Sequence, residues 1–307
     1  MKRDQDFYEG LPTAATGPEE SALLELPATT TGAAVLQARS RRAIRFAGEV
    51  FLPSWPAGAV GLPTVLLRSA LWAAGEQDEV LVKDLAIPTL GDDVRVLLSG
   101  KPLLQYDRRV FAACLAIVKD QPLSNDDAPG RSTTVTYYEV AQAMGNAYTL
   151  NTHTAIRSSL LRLRQASLQV RLRGALHQVP QLLDVAFTKG DDEPQGADDL
   201  LVRVPEQVAL LYGMRSWTVV PNEVLAMKAL RGWLSGLLAT QVVAETLSFE
   251  RLHEVSGMLC RPNDFRRRVC DALEELQVPD VPLACRVGSF EVTADKKWLT
   301  VRMARWG

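Results

Sequence analysis

The chain has 307 residues, of which 47% are hydrophobic and 23% charged, and its formal net charge is −2. This composition can bury ordinary hydrophobic cores, and the length indicates about two domains. No apolar run approaches the roughly 18 residues of a membrane span, which excludes a membrane protein and predicts a cytoplasmic one. The four cysteines form no Cys-x-x-Cys pair and the three histidines have no metal-ligand spacing, so neither disulfides nor a metal site is expected.

Residues 1–48 are predicted to be a disordered N-terminal segment. They are rich in Ala, Thr, Pro and Gly and carry few large apolar side chains, so burial cannot offset the entropy of ordering them. Near their end, Ala38–Arg45 is a basic patch. Such a patch is either an arm that contacts the DNA backbone or a solvated run of charge.

Residues 49–205 are predicted to form a first winged-helix domain. Its early part contains, in chain order, a helix over Pro63–Trp72, strands at Val80–Val82 and Val94–Leu98, and a helix opened by Asp107 with Val110, Phe111, Leu115 and Val118 inward. Its later part contains a strand at Thr133–Thr136, a helix over Tyr138–Met144 that ends at Gly145, a helix over Asn151–Gln165, and extended segments at residues 167–173, 182–187 and 200–204.

The helix over Asn151–Gln165 is the predicted recognition helix of this domain. Asn151 is the predicted N-cap, and Ile156, Leu160 and Leu163 repeat at helical spacing to form an inward stripe. The residues left outward or on the flanks, and predicted to contact DNA, are Asn151, Thr154, Arg157, Ser158 and Arg162.

Residues 206–307 are predicted to form a second winged-helix domain. Its elements are a helix over Val208–Leu211, a strand over Trp217–Val220, a long helix over Val224–Leu238, and a short helix over Leu247–Val255 that Ser256 and Gly257 stop. Two extended runs then follow at Leu283–Val292 and Trp298–Met303. Their connecting turn carries Lys296 and Lys297, where a wing would approach phosphates.

The stretch Leu259–Leu276 reads as the second half of a helix-turn-helix. Pro262 suits a first helical turn, and an apolar stripe comprises Phe265, Val269, Ala272, Leu273 and Leu276. The basic N-terminal end of this helix is predicted to contact DNA through Arg261, Asn263, Arg266, Arg267 and Arg268. An amphipathic helix with a solvated charged face is the alternative, and the flanking helix and hairpin favour the DNA-binding interpretation. The near-neutral total charge does not oppose it, because salt screens distant charges.

Several spaced segments carry a family resemblance. Gly61–Trp72 is similar to the Pro-x-x-x-Leu-Arg-Ser-x-Leu-Phe signature of TrfA-type plasmid replication initiators, with Thr64 where the signature commonly has Asn. Gln105–Phe111 is similar to that family's Gln-x-Asp-x-x-Val-Trp element. Further matches in the same order are Ser159–Leu163, Ser216–Thr218, Leu230–Leu234 and the Leu259–Leu276 helix. The resemblance covers roughly residues 50–305.

The resemblance implies an initiator with two winged-helix domains that binds directly repeated sequences, called iterons, in a plasmid origin. It also implies that the protein assists origin opening, recruits host replication proteins including the replicative helicase, and exchanges between homodimers and DNA-binding monomers. Carried over by position, the recognition helices are Asn151–Gln165 and Pro262–Leu276.

The sequence contains no complete catalytic motif. Gly100-Lys101 lacks the preceding glycine of a phosphate-binding loop and is followed by Pro102, and the tyrosines at 137 and 138 have no histidine cluster for a nicking reaction. We therefore expect a double-stranded DNA-binding protein with no enzymatic activity, cofactor or metal. A winged-helix transcriptional regulator that binds a promoter operator is the alternative left open by the residues, and an origin-nicking enzyme is a further rival.

Overall fold

The computed structural model describes residues 49–91, 93–123, 132–172, 174–188 and 198–306. The predicted disordered segment 1–48 and the basic patch at residues 38–45 lie outside the described residues. Within them the fold is α+β, as the sequence predicts.

The strands and helices are numbered in chain order. The strands are β1 Ala59–Pro63, β2 Trp72–Ala73, β3 Val82–Ile87, β4 Val94–Gly100, β5 Leu103–Leu104, β6 Thr133–Thr136, β7 Ser167–Leu172, β8 Ala175–Val179, β9 Asp184–Phe187, β10 Asp199–Arg203, β11 Trp217–Pro221, β12 Glu245–Ser248, β13 Val287–Val292 and β14 Trp298–Met303. The helices are α1 Thr64–Leu67, α2 Gln105–Val118, α3 Tyr137–Ala143, α4 Leu150–Gln165, α5 Glu206–Ala209, α6 Asn222–Ala226, α7 Ala229–Ala239, α8 Phe249–Ser256 and α9 Pro262–Glu275. Short 3₁₀ helices cover Leu210–Arg215 and Ala304–Trp306.

One arrangement of elements occurs twice. The first motif consists of β6, α3, α4, β9 and β10, and the second motif consists of β12, α8, α9, β13 and β14. In each motif the strand before the two helices pairs antiparallel with the last strand, which also pairs with the strand that precedes it. The strand order is β6–β10–β9 in the first motif and β12–β14–β13 in the second. The two similar units predicted from the sequence are therefore alike in topology.

The first motif carries an insertion between its second helix and its hairpin. The insertion is the β7–β8 hairpin, which turns at Gly174 with φ 85° and joins β3 and β4 in a separate sheet of order β3–β4–β7–β8. Within the extended segment predicted at residues 167–173, Ser167–Leu172 therefore belongs to this sheet and not to the hairpin of the first motif. Strand β8 was not predicted, because its residues Ala175–Val179 have a mixed pattern and an exposed Leu176.

The helix predicted over Pro63–Trp72 is much shorter in the structure, where it covers only Thr64–Leu67. Pro63 is the last residue of β1, and α1 ends at Leu67. The reason lies in Ser69, whose hydroxyl donates to the carbonyl of Leu66 and accepts from the amide of Leu71. A serine that bonds to nearby backbone competes with helical hydrogen bonds, and here it turns the chain into β2.

Two other predicted helices also differ at their bounds. The long helix expected over Val224–Leu238 is interrupted at Met227 and Lys228, which separates α6 from α7. The N-cap of α4 is Thr149, whose hydroxyl accepts from the amide of Thr152, so Asn151 lies inside the first turn. By contrast, α8 ends as predicted, because Gly257 adopts the left-handed conformation with φ 66°.

Contacts join the regions on both sides of residue 205. Strand β1 pairs antiparallel with β11 over Ala59–Pro63 and Trp217–Pro221. Arg68 binds both carboxylate oxygens of Glu245, at 2.6 and 3.1 Å. The division into domains 49–205 and 206–307 stays a prediction, and these contacts cross the predicted boundary.

Candidate nucleic-acid interface

Helix α9 packs through its apolar stripe and presents its basic residues to solvent. Phe265, Val269 and Leu273 are fully buried, as the periodicity predicts. Pro262 occupies the first turn, where its missing N–H costs nothing. The exposed side chains at this end are Arg261, Asn263, Arg267 and Arg268, while Arg266 is half-buried.

Most of the charges along α9 are arranged against the helix dipole. The arginines at positions 261 and 266–268 lie at the N-terminal end and in the first half of the helix, where Asp264 is the one acidic residue, whereas Asp271, Glu274 and Glu275 lie in its second half. A helix carries partial positive charge at its N-terminus and partial negative charge at its C-terminus, so helix stability favours the reverse order. The arrangement is therefore not explained by helix stability and fits an anionic partner at the N-terminal end.

Arg266 connects α9 to the turn between β13 and β14. Its guanidinium donates to the carbonyl oxygen of Lys296 at 3.0 Å and also to the side-chain oxygen of Asn263. Asn263, Arg266 and Lys296, together with Arg267, line an open cavity of about 510 Å³. The structure thus brings four of the residues predicted to contact DNA to one place.

The turn that follows β13 has its own internal support. Asp295 accepts from the hydroxyl of Thr293 and from the amide of Lys297. These bonds, led by the one from Thr293, lower the pKa of the Asp295 carboxyl. Lys296 adopts a left-handed conformation with φ 57°, which is uncommon for a residue with a side chain. A turn held in this way keeps Lys296 and Lys297 exposed beside α9.

Two further side chains near this turn were not among the predicted contacts. Trp298 is 46% exposed at the start of β14, and it lines a cavity of about 390 Å³ with Arg266 and Lys297. Arg302 is exposed further along the same strand. The alternation of β14 places Trp298 and Arg302 on one side of the strand, so the period of the strand was the signal that could have found them.

The corresponding helix of the first motif presents a neutral surface. Asn151, Thr154 and Ser158 are exposed on α4, as predicted. Tyr138 and Leu150 are also exposed nearby, at 52% and 63% of their surfaces. The exposed side chains at the N-terminal end of α4 are therefore uncharged, in contrast to the arginines of α9.

The two arginines predicted to contact DNA from α4 are engaged within the fold. Arg157 lies over the ring of Phe187, 4.5 Å from its centroid, and donates to the hydroxyl of Tyr137 at 3.3 Å. Arg162 holds both carboxylate oxygens of Asp107 at 2.8 to 3.1 Å, and its side chain is 13% exposed. Since Asp107 is fully buried, we assign Arg162 a structural role and omit it from the proposed contact surface.

In the described part of the chain, no group of three His, Cys, Asp or Glu side chains is placed to hold a metal ion. No helix among these residues combines the length and apolarity that crossing a membrane requires.

Comparison with solved structures identifies a fold relative. The chain is similar to a crystal structure of domains 2 and 3 of RctB, a selenomethionine derivative, with a TM-score of 0.50 and 10% sequence identity. The match covers 79% of this chain and 98% of the RctB chain. A second crystal structure of RctB domains 2 and 3 gives a TM-score of 0.49 and 11% identity, over 77% and 96% of the two chains. No protein-family model and no curated protein matches. At this identity the likeness concerns the fold.

Proposed function

We propose that the protein is a replication initiator of plasmid type, which binds directly repeated origin sequences through two winged helices. In each motif the order strand, helix, helix, hairpin is that of a winged helix, with α4 and α9 as recognition helices and the β13–β14 turn as a wing. We also propose that it acts in the cytoplasm, promotes origin opening without enzymatic activity, and uses neither cofactor nor metal.

One observation carries the DNA-binding part of the proposal. Arg266 ties the basic end of α9 to the turn that holds Lys296, so that cations of the helix and of the turn face one cavity. Arginine forks suit both guanine edges and phosphates, and a helix end of this kind fits a major groove. Three of the four acidic residues of α9 lie in its other half, and the fourth, Asp264, lies in the first turn.

The initiator role is supported by the spaced sequence elements, which resemble TrfA-type initiators in the correct order. The likeness to domains 2 and 3 of RctB supports the fold alone. Following the family resemblance, we propose that the host replicative helicase is a partner and that a homodimer exchanges with the DNA-binding monomer.

Footprinting on origin DNA tests the function. Because the two motifs present unlike helices, one chain is expected to read two unlike half-sites about one helical turn apart, which makes an asymmetric site that recurs as direct repeats. Protection of one symmetric palindrome beside a promoter would instead favour the transcriptional regulator. Strand cleavage in the presence of a divalent metal would favour a nicking enzyme.

Arg267→Ala is expected to weaken binding to the preferred repeat by about 1 to 3 kcal/mol, if Arg267 reads a base. Its side chain is 70% exposed, and its ion pair with Asp264 at 3.8 Å is a surface pair that contributes little to stability. Binding to a panel of single-base variants would show relaxed preference at one position. The matched control is Arg171→Ala, an exposed arginine of β7, which lies outside both motifs. Equal affinity of Arg267→Ala and wild type on every sequence would remove Arg267 from the interface.

The double variant Lys296→Ala with Lys297→Ala is expected to reduce the salt dependence of binding. Removing one lysine–phosphate ion pair lowers the slope of log K against log salt by about one, so the slope should fall by up to about two units. The preferred sequence should stay the same, because backbone contacts do not read bases. The control replaces Lys83 and Lys228, two exposed lysines outside the second motif, with alanine. If the double variant keeps wild-type affinity at every salt concentration, the turn is not a wing.

A further inference from the structure

The two proposed recognition helices present different side-chain chemistry. The outward stripe of α4 consists of Asn151, Thr154 and Ser158, which are exposed and uncharged, and Leu150 before them is 63% exposed. The basic end of α9 carries exposed arginines instead. Base edges in the major groove differ as well, because guanine offers two acceptors, adenine offers a donor and an acceptor, and thymine offers a methyl group. The two helices therefore suit different bases.

Asn151 supplies the amide that an adenine requires. Its side chain forms no hydrogen bond with any other residue that the structure describes. Such an amide can donate to N7 of an adenine and accept from its N6 amino group, a bidentate pair that no other base offers. On α9, the side-chain oxygen of Asn263 already accepts from Arg266, which ties that amide to its own helix. Asn151 is therefore better suited to adenine than Asn263.

Thr154 and Leu150 supply apolar groups next to this amide. The hydroxyl of Thr154 donates to the carbonyl of Leu150 at 3.1 Å. The hydroxyl hydrogen is therefore used within the helix, and the side chain keeps its methyl group for an apolar contact. Leu150 is the first residue of α4 and exposes most of its surface. Apolar groups of this kind are stabilised by contact with the C5-methyl group of thymine, the base that pairs with adenine.

The arginines that could bind guanine lie on α9 and not on α4. Arg157 of α4 lies over the ring of Phe187, 4.5 Å from its centroid, and Arg162 holds the buried carboxylate of Asp107. Arg267 of α9 exposes 70% of its side chain. An exposed guanidinium fork can donate to both O6 and N7 of a guanine. The difference in charge between the helices is therefore a difference in the base that each can bind.

We propose that α4 reads A·T base pairs and that α9 reads guanine, so that each repeat joins an A·T half-site to a half-site that contains guanine. In the first half-site Asn151 binds an adenine, and Thr154 and Leu150 contact thymine methyl groups. In the second half-site Arg267 binds a guanine. The assignment rests on the proposed function, because it needs both helices in the major groove of one origin repeat.

Base analogues in the repeat that footprinting identifies test the assignment with the full chain. In duplexes that keep Watson–Crick pairing, 7-deazaadenine and 7-deazaguanine lack the N7 acceptor, and deoxyuridine lacks the methyl group of thymine. One 7-deazaadenine in the A·T half-site should weaken wild-type binding by about five-fold, and so should one 7-deazaguanine in the other half-site. One deoxyuridine in the A·T half-site should weaken it by about four-fold, which corresponds to one buried methyl group.

Variants assign each analogue to a helix. Asn151→Ala should bind the 7-deazaadenine duplex as tightly as the unmodified repeat. Thr154→Ser keeps the hydroxyl and loses the methyl group, so it should be insensitive to one deoxyuridine. Both variants should retain the full effect of 7-deazaguanine, which Arg267→Ala should lose. The matched control Gln178→Ala changes an exposed amide of β8, outside both motifs, and should behave as wild type on every duplex.

The outcomes separate the assignment from the proposed function. Specific binding of the repeat with no effect of 7-deazaadenine or deoxyuridine would overturn the assignment alone. The same holds if Asn151→Ala retains the effect of 7-deazaadenine, or if it loses the effect of 7-deazaguanine, since α4 would then read guanine. Binding of the repeat no tighter than of a random duplex of equal length would overturn the proposed function, and the assignment with it.

Discussion

Arg162→Met is expected to lower the free energy of unfolding by about 3 to 5 kcal/mol. The physical reason is the carboxylate of Asp107, which is fully buried and receives two hydrogen-bonding groups from Arg162 and one from the amide of Leu104. Without the guanidinium, a buried negative charge remains uncompensated in a medium of low dielectric constant. Denaturant unfolding of the full chain measures the loss.

Two further variants identify the origin of that effect. Arg164→Met changes an exposed arginine on the same helix and should alter stability by no more than about 0.5 kcal/mol. The double variant Arg162→Met with Asp107→Asn removes both charges and should recover much of the loss, because no buried ion is left. If Arg162→Met keeps wild-type stability and loses DNA affinity, Arg162 contacts DNA and the structural assignment is wrong.

Gly232→Ala is expected to destabilise the fold by about 3 kcal/mol, at the upper end of what overpacking costs. A Cβ at Gly232 would lie 2.7 Å from the carbonyl carbon of Met227 and nearer still to its oxygen. The clash is with backbone, which cannot rotate away as a side chain can. In a helix with no such neighbour, replacing glycine with alanine would stabilise the protein by up to about 1 kcal/mol. A loss of stability therefore reports the close approach of Met227.

Gly213→Ala is the matched control for this glycine. No heavy atom among the described residues lies within 4 Å of a Cβ built there, and its φ is not in the left-handed range. Its unfolding free energy should therefore change by no more than about 0.5 kcal/mol. A Gly232→Ala protein as stable as this control would show that α6 and α7 do not approach as closely as described.

Local periodicity was enough to predict much of the second motif. The stripe through Phe265, Val269 and Leu273 reports a helix because 3.6 residues per turn repeat within the element itself. Gly257 likewise carries its own stop signal, since glycine adopts the left-handed conformation without a Cβ penalty. The exposure of Arg267 and Arg268 follows from the same helical period, because both residues lie away from the apolar stripe.

The pairing of segments could not be read from the sequence in this way. Residues 167–172 have the alternation of a strand whichever sheet they join, and only the fold places them beside β4 and leaves the hairpin of the first motif to β9 and β10. The sequence does not predict strand β1, because Pro63 is typical of a helix start. In the structure, β1 pairs antiparallel with β11. In both segments the deciding hydrogen bonds come from residues far along the chain.

The amino-acid sequence by itself determined the α+β class, the apolar stripes of α4 and α9, and the basic end of α9, because each depends on side chains within one helix or strand. The tertiary structure alone decided the partners of those side chains. It turned Arg162 inward to Asp107, 55 residues away, and it left Arg267 exposed beside a turn that Arg266 holds. Both arginines lie opposite or beside an apolar stripe, and what separates them is a buried carboxylate that only long-range packing brings into reach.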